Sequence, residues 1–526
     1  MVKNMTHYFY AIFHLKLLQI VYRILYLLKS ENTKKKKIKL SPPKTRPIIL
    51  VASINSLSLY VAKKTFSFLN YTHNFNMKIN WDYAGYGMLW TYNLNYFEYL
   101  HQNTIDKEMG LSLMHDYLNQ YKDLHVGYNS YPISLRNIFW IRFIVTNKIK
   151  DDRINAFLYD TYVILSRNLE YHLLGNHLLE NAFSLLFGAY YFRDAMFYRK
   201  AYRLLKTELT EQILNDGGHF ELSPMYHKIL LYRLLDCYNI VLNNEWVEDD
   251  LLEFMHSKCS IMLSWLKNMT FPSENTPSLN DASDGIAPSS IELFSYAERL
   301  AIAHAFTPLS DSNYRLFKNS KYSLICDIDG ISPAYQCGHA HADTFNFVME
   351  VDGQPFFVDT GCSTYQIGET RTLERGTSSH NTVMVNGGNS SQVWASHRVG
   401  RRAKVTVLED TEYCLKAQHN GYKGMIHCRS FSPKDNCVEI VDKIIDKKRR
   451  SKNVALYHLD YSVEVINKNP YTIANLEKQI AIKIEFTGAV DINISEYKQA
   501  IGFNNSVNAK CICVIFNEQL KTTITV

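Results

Sequence analysis

From about residue 55 to residue 305 apolar side chains recur at helical spacing, and period-two alternation is scarce. YNLNYFEYLHQN, ISLRNIFWIRFIV, LLENAFSLLFGAYYF and KILLYRLLDCYNIVL read as amphipathic or buried helices, with Gly, Asn and Pro between them. Helices in series without strands predict helical hairpins stacked into a solenoid or toroid, although no fixed sequence period repeats. Past about residue 315 the pattern changes to short alternating runs, among them YSLICDIDG, TFNFVMEV, NTVMVNG, AKVTVLED, CVEIVDKII, AIKIEFTG and CICVIFNE. These predict an antiparallel β-sandwich of about ten strands over roughly 200 residues. The expected fold class is therefore α+β multidomain: a helical domain over 46–310, a β-sandwich over 311–526, and a separate segment at 1–45. A cleft between two such domains is a common place for an active site.

The first segment carries YFYAIFHLKLLQIVYRILYLL, broken by His14, Lys16 and Arg23 and followed by Lys34 to Lys37 with Lys39. It has no unbroken apolar span of about 18 residues and no small-residue cleavage site. It reads as an amphipathic helix that docks on the protein, lies on an anionic membrane surface as a peripheral contact, or acts as an uncleaved anchor. The net charge of +6 comes largely from that lysine run, so no nucleic-acid surface is implied. Ten cysteines show no metal or redox spacing apart from Cys511-x-Cys513 and read as reduced thiols. That leans away from an oxidising compartment. A cytoplasmic or membrane-associated location is favoured over a periplasmic one. Aromatic richness, with 36 Tyr and 27 Phe, suits either core packing or stacking on sugar faces.

Chemistry concentrates between residues 338 and 381, in GHAHADTFNFVMEVDGQPFFVDTG and then SSHNTV. Asp352-Gly353 is a hairpin turn signal between two strand patterns. If Val351 pairs with Gln354, Asp359 falls opposite Asn346 and not opposite His341. Five residues of extended chain span roughly 16 Å, so a site joining His341 to Asp359 requires HAHAD to curl back as a loop. In such a loop the two histidines can diverge, one toward a metal and one toward a cleft.

Two further clusters lie in the helical half. LLGNHLLENAF marks a helix start at Gly175, with Asn176 as a candidate cap and His177 and Glu180 three residues apart on neighbouring surface. His177 reads either as a functional group or as a satisfied buried histidine. In NDGGHFELSPMYHKILL, Ser223-Pro224 opens a helix whose first turn holds Tyr226, where the helix dipole can help hold a tyrosinate. A tyrosine suits chemistry in which one group both removes and donates a proton.

The three clusters, in this order, resemble the heparinase II/III family of polysaccharide lyases, including its alginate-lyase-like and oligo-uronide-lyase-like members. The resemblance runs from LWTYNLNYFEYL through YNSYPISLR, NHLLEN, GGHFELSPMYH, GHAHAD, VDTG and SSHNTV to QVWASHRVGRRA, about three fifths of the chain. It implies an N-terminal (α/α) toroid, a C-terminal β-sandwich, and β-elimination at a uronic acid of an anionic polysaccharide, such as a glycosaminoglycan, capsule or exopolysaccharide. By resemblance, Asn176 and His177 contact the uronate carboxylate and Glu180 orients His177. Tyr226 protonates the leaving oxygen and serves as a base, and His339 is base or neutraliser. His341, Asp359 and His380 match zinc-binding positions, with a structural Zn2+ that fixes the GHAHAD loop; a bare hydrogen-bond network is the alternative. Tyr365, Arg371 and Arg375 lie between those ligands, and either arginine is a candidate uronate clamp or a solvated ion pair.

A uronyl C5-epimerase on the same scaffold shares the proton abstraction, and no residue separates it from a lyase. A glycan-binding or capsule-assembly protein without turnover is the third reading. The polymer, endo or exo action and oligomeric state are not legible in the sequence.

Overall fold

A computed structural model describes residues 10, 12–28, 44–56, 59–447, 451–468 and 471–526. The Lys34 to Lys37 run lies outside the described residues. After an N-terminal helix α1 (Leu17–Leu28), nine helices follow between residues 88 and 299. These are α2 (Met88–Tyr96), α3 (Lys107–Gln120), α4 (Ser130–Thr146), α5 (Asp152–Arg167), α6 (Gly175–Phe192), α7 (Ala195–Gln212), α8 (Pro224–Leu242), α9 (Leu251–Met269) and α10 (Ser290–Arg299). Their starts follow capping chemistry. Asp106, Asp151 and Asp194 accept backbone N–H bonds at α3, α5 and α7, and Ser289 with Glu292 forms a capping box at α10. α4, α6 and α8 are buried almost all round, which explains why their sequences read as continuous apolar runs.

The sandwich consists of a four-stranded sheet, β4 (Tyr314–Lys318), β5 (Tyr322–Asp327), β6 (Phe347–Val351) and β7 (Gln354–Phe357), and a ten-stranded antiparallel sheet. Every residue of β5 and β6 is buried because both faces of the small sheet are covered. Tyr322, Leu324, Phe347 and Met349 point into the core shared with the large sheet. Ile325 and Val348 pack instead on Trp265, Met269 and Phe271 at the helical domain. One sheet thus serves two cores, and this fixes the domains against each other.

Three details differ from the sequence pattern. A small sheet, β1 (Tyr60–Ala62), β2 (Thr65–Phe68) and β3 (Tyr71–Asn74), lies inside the range that reads as purely helical. Its strands are too short to give a periodic signal. The strand expected from Thr344 begins only at Phe347, because Phe345 adopts a left-handed φ of 70° in a turn. Asn176 is no helix cap: α6 starts at Gly175, and the Asn176 backbone N–H points at the Glu221 carboxylate, 3.4 Å away. That carboxylate lies at the positive end of the helix.

The hairpin register holds at the turn, where Val351 pairs with Gln354, and slips by one residue after Glu350. Asp359 nevertheless reaches Asn346, whose amide donates to it at 2.6 Å. The GHAHAD segment is a 3-10 turn (Cys337–His339) followed by irregular chain, as the two-histidine arrangement required. Helix α1 docks on the protein: Gln19 donates to the Leu173 carbonyl, Arg23 to that of His172, and Tyr26 stacks on His172.

Candidate active site

A cleft of about 270 Å³ opens between the domains. Asn176, His177 and Tyr226 line it from the helical side, and His339, Tyr365 and His397 from the sandwich side. Each catalytic candidate therefore reaches one space, although they lie up to 163 residues apart in sequence.

Ser223 accepts from the Tyr226 backbone N–H and opens α8, as its Ser-Pro signal predicts. The Tyr226 ring lies against that of His339, with centroids 4.1 Å apart, and its hydroxyl meets the Tyr365 hydroxyl at 3.1 Å. Burial pushes both phenols well above the usual range, and for Tyr226 this outweighs the helix end. A raised pKa favours the phenol of Tyr226 over a resting tyrosinate.

His339 is oriented by a residue the sequence reading missed. Its Nδ1 lies 2.8 Å from Asp281 Oδ2, while Nε2 faces Glu221 at 3.6 Å. His341 Nε2 contacts the other Asp281 oxygen at 2.9 Å, and Arg371 grips both oxygens. Burial would raise the Asp281 carboxyl, but Arg371 and the two histidines hold it well below the usual carboxylate range. The same loop ties the domains together. Asn280 accepts from the His341 backbone N–H, and the Asp281 carbonyl accepts from the Ser223 hydroxyl that caps α8. Nothing in SLNDASDG distinguishes Asp281 from Asp284; only tertiary contact does. His397 and Glu221 sit inside stretches that carried the family resemblance, which was the signal available for them.

His177 lies over Tyr131, with ring centroids 4.7 Å apart, and its Nδ1 is 3.3 Å from Glu170 Oε1. Burial lowers its pKa, but the carboxylates of Glu170, Glu221 and Glu180, Glu170 foremost, together make the net shift upward. Glu170 is the orienting carboxylate, which corrects the assignment of that role to Glu180. The Glu180 side chain is fully buried beside Arg233, 3.3 Å from its Nε. Burial raises the Glu180 carboxyl to about 7. Asn176 presents a buried Oδ1 with no hydrogen-bond partner among the described residues.

The two arginines are not clamps. Arg371, in the short helix α11 (Glu369–Glu374), is fully buried on Asp281 and the Ser396 carbonyl. Arg375 is equally buried and donates to the carbonyls of Ala340 and Ser396. Both spend their donors on fixing loops, so neither reaches a ligand in the cleft. Tyr365, in contrast, does line it.

His341, Asp359 and His380 come together as neighbours. His380 Nδ1 is 2.7 Å from Asp359 Oδ2, and the rings of His341 and His380 are 5.4 Å apart. A different group, Asp281, His339 and His397, has ligand atoms within 4.8 Å of one another and could hold a metal ion. Arg371 already neutralises its carboxylate, which disfavours a second cation there.

The chain matches the family models described as heparinase II/III N-terminus over residues 92–298 and heparinase II/III-like, C-terminal over 301–526. It is 24% identical over 320 residues to a heparin-sulfate lyase of Bacteroides stercoris, a match covering 54% of this chain and 46% of that relative. The match thus spans less than half of that relative's length. A heparinase III structure superposes with a TM-score of 0.64 at 17% identity, covering 86% of this chain and 81% of the other. A heparan sulfate lyase mutant from Pedobacter heparinus gives 0.58 at 15% identity, with 97% and 87% covered. The likeness in structure is one of fold: a helical toroid followed by a β-sandwich. With both family models matched in order along one chain, the protein belongs to the heparinase II/III family.

Proposed function

We propose that the chain is a polysaccharide lyase that cleaves a uronate-containing polysaccharide of the glycosaminoglycan kind by β-elimination. The observation that carries this reading is the contact of the Tyr226 and His339 rings, 4.1 Å between centroids and inclined at 36°, across the domain boundary in the cleft that also holds Asn176 and His177. The names of the relatives support it. The catalytic face of the helical domain, 46–310, supplies the first group, and the sandwich, 311–526, supplies His339.

Removing the proton alpha to a carboxylate is difficult until the carboxylate charge is neutralised. Protonated His177, with its raised pKa, and the Asn176 amide do this. His339 accepts the C5 proton at Nε2 while Asp281 holds its other nitrogen. The electron pair forms the C4–C5 double bond and the C4–O bond breaks. The Tyr226 hydroxyl then gives its proton to the departing oxygen, with Tyr365 beside it to share the charge.

The metal reading is likewise a proposal. Of the expected ligands His341, Asp359 and His380, His341 Nδ1 and His380 Nε2 are buried without hydrogen-bond partners among the described residues, as is Asp343 Oδ2, whereas both Asp359 oxygens are already bonded, so Asp343 would stand in Asp359's place. Two imidazole nitrogens and a carboxylate are the donor types that Zn2+ takes, although among the described residues three such ligand atoms lie within 4.8 Å of one another only at Asp281, His339 and His397. Asp359 holds the opposite nitrogen of His380, as second carboxylates do in such sites. A bound cation would supply rigidity to the GHAHAD loop. Metal content of wild type and His380→Ala, measured by plasma mass spectrometry, tests this; equal content defeats it.

The main test is incubation with uronate polymers, followed by the ultraviolet absorbance of the 4,5-unsaturated product. No absorbance, but solvent deuterium at C5, would make the enzyme an epimerase. Neither signal, with glycan binding retained, would leave a non-catalytic binding protein.

A further inference from the structure

Helix α1 is inside out. Its polar and aromatic residues face the protein: Gln19 is 0% exposed and bonded to the Leu173 carbonyl, Arg23 reaches the His172 carbonyl, and Tyr22 and Tyr26 lie on Tyr171 and His172. Its aliphatic stripe faces outward. Leu17 is 75% exposed, Ile24 55%, Leu27 84% and Leu28 77%, and the preceding Phe13 is 72% exposed. Residues 17, 20, 24, 27 and 28 fall on one face at helical spacing. A helix held against a domain for its own stability buries the apolar face and wets the polar one. Here water would meet a continuous apolar stripe, which soluble surfaces seldom present.

The surroundings indicate what covers that stripe. A groove of about 740 Å³ runs between α1 and the helical domain. Leu18, Leu25 and Leu28 form its apolar wall, and Arg167, Lys200 and Arg203 its cationic side, against a single carboxylate, Glu208. Aliphatic residues flanked by cations match the layered chemistry of an anionic lipid interface, acyl chains beneath phosphate and carboxylate headgroups. No described helix is long and apolar enough to cross a membrane, so contact with one would be in the plane of its surface. A neutral partner protein would make no use of the cationic side.

We propose that α1 and this groove form a docking surface for anionic membrane lipid, holding the enzyme at a membrane with its polar helix face pinned to the domain. The proposal is independent of the lyase reading. The test is flotation of the full chain with vesicles of phosphatidylcholine alone or mixed with phosphatidylserine. Wild type is expected to float with the mixed vesicles, less so at high salt. Leu17→Asp with Ile24→Asp is expected to weaken binding at least about tenfold, and Lys200→Glu with Arg203→Glu to abolish the preference for phosphatidylserine. Unchanged thermal midpoints would show that the variants fold. Wild type that stays with the unbound fraction, or the Asp variant floating like wild type, would overturn the proposal. So would a concentration-dependent dimer of wild type that Leu17→Asp dissociates, which would make the stripe a contact between copies. Loss of uronate-polymer binding, and not of vesicle binding, in the Lys200 and Arg203 variant would assign the groove to glycan and equally overturn it.

Discussion

Asp281→Asn removes one charge from a fully buried junction where Arg371, His339 and His341 converge. The amide keeps one acceptor and presents N–H hydrogens to a guanidinium that has no route to water. Breaking a buried ion pair from one side costs about 3–5 kcal/mol, and the retained acceptor places this variant near 3. For domains of this size that lowers the thermal midpoint by roughly 6–12 °C. The pH dependence has a definite sign. The Asp281 pKa is depressed in the fold, so its stabilisation is complete above the unfolded carboxylate value of about 3.9 and is lost only as pH falls through the lower folded value. The gap between wild type and variant is therefore the same at about pH 7 and about pH 8.5. Scanning calorimetry at both values measures it. Adding Arg371→Met should recover part of the loss, because the unpaired cation is then gone. A gap below about 1 kcal/mol, or one that worsens when Arg371 is removed, would refute the account of Asp281 as the ionised partner of Arg371.

Three other outcomes are expected. Tyr226→Phe lowers the elimination rate at least about a hundredfold while the thermal midpoint stays within a degree or so, since only a proton donor is lost; a rate near wild type would remove Tyr226 from the chemistry. Glu170→Gln deletes the foremost of the carboxylates that raise the His177 pKa. The alkaline limb of kcat, where protonated His177 is lost, then moves to lower pH, and a pH–rate profile that does not move would exclude His177 as the neutralising cation. Gly217→Ala forces a left-handed residue, φ 87°, to carry a Cβ 2.0 Å from the Ile261 carbonyl oxygen. Soluble expression should fall sharply and the midpoint with it, as circular dichroism melting will report.

Much of the fold is local and so is written in the sequence. Ser223-Pro224 opens α8 because a hydroxyl beside a residue with fixed φ satisfies a helix start within four residues. Asp352-Gly353 sets the hairpin register at the turn because a two-residue turn leaves little choice, and although the register slips by one beyond Glu350, the Asn346 amide still reaches Asp359. The change from helical to alternating period marks the passage from toroid to sandwich. Asn176, His177, Tyr226 and His339 stood out as polar groups in otherwise apolar patterns, the family resemblance joined them into one expected site, and the fold brings them to one cleft.

What the sequence could not determine is which charge meets which. Glu180 lies three residues from His177, yet Glu170, seven residues before it, is the partner, because the α6 surface turns Glu180 toward Arg233 on α8. Arg371 and Arg375 have the composition of anion clamps, but folding spends both on buried oxygens, one on Asp281 and one on loop carbonyls. Asp281 itself meets His339 across 58 residues of chain and a domain boundary. Periodicity reports which face of an element is dry. The pairing of charges inside that dry space is decided by the close approach of distant segments, where each ion must find a partner or raise the free energy of the whole fold.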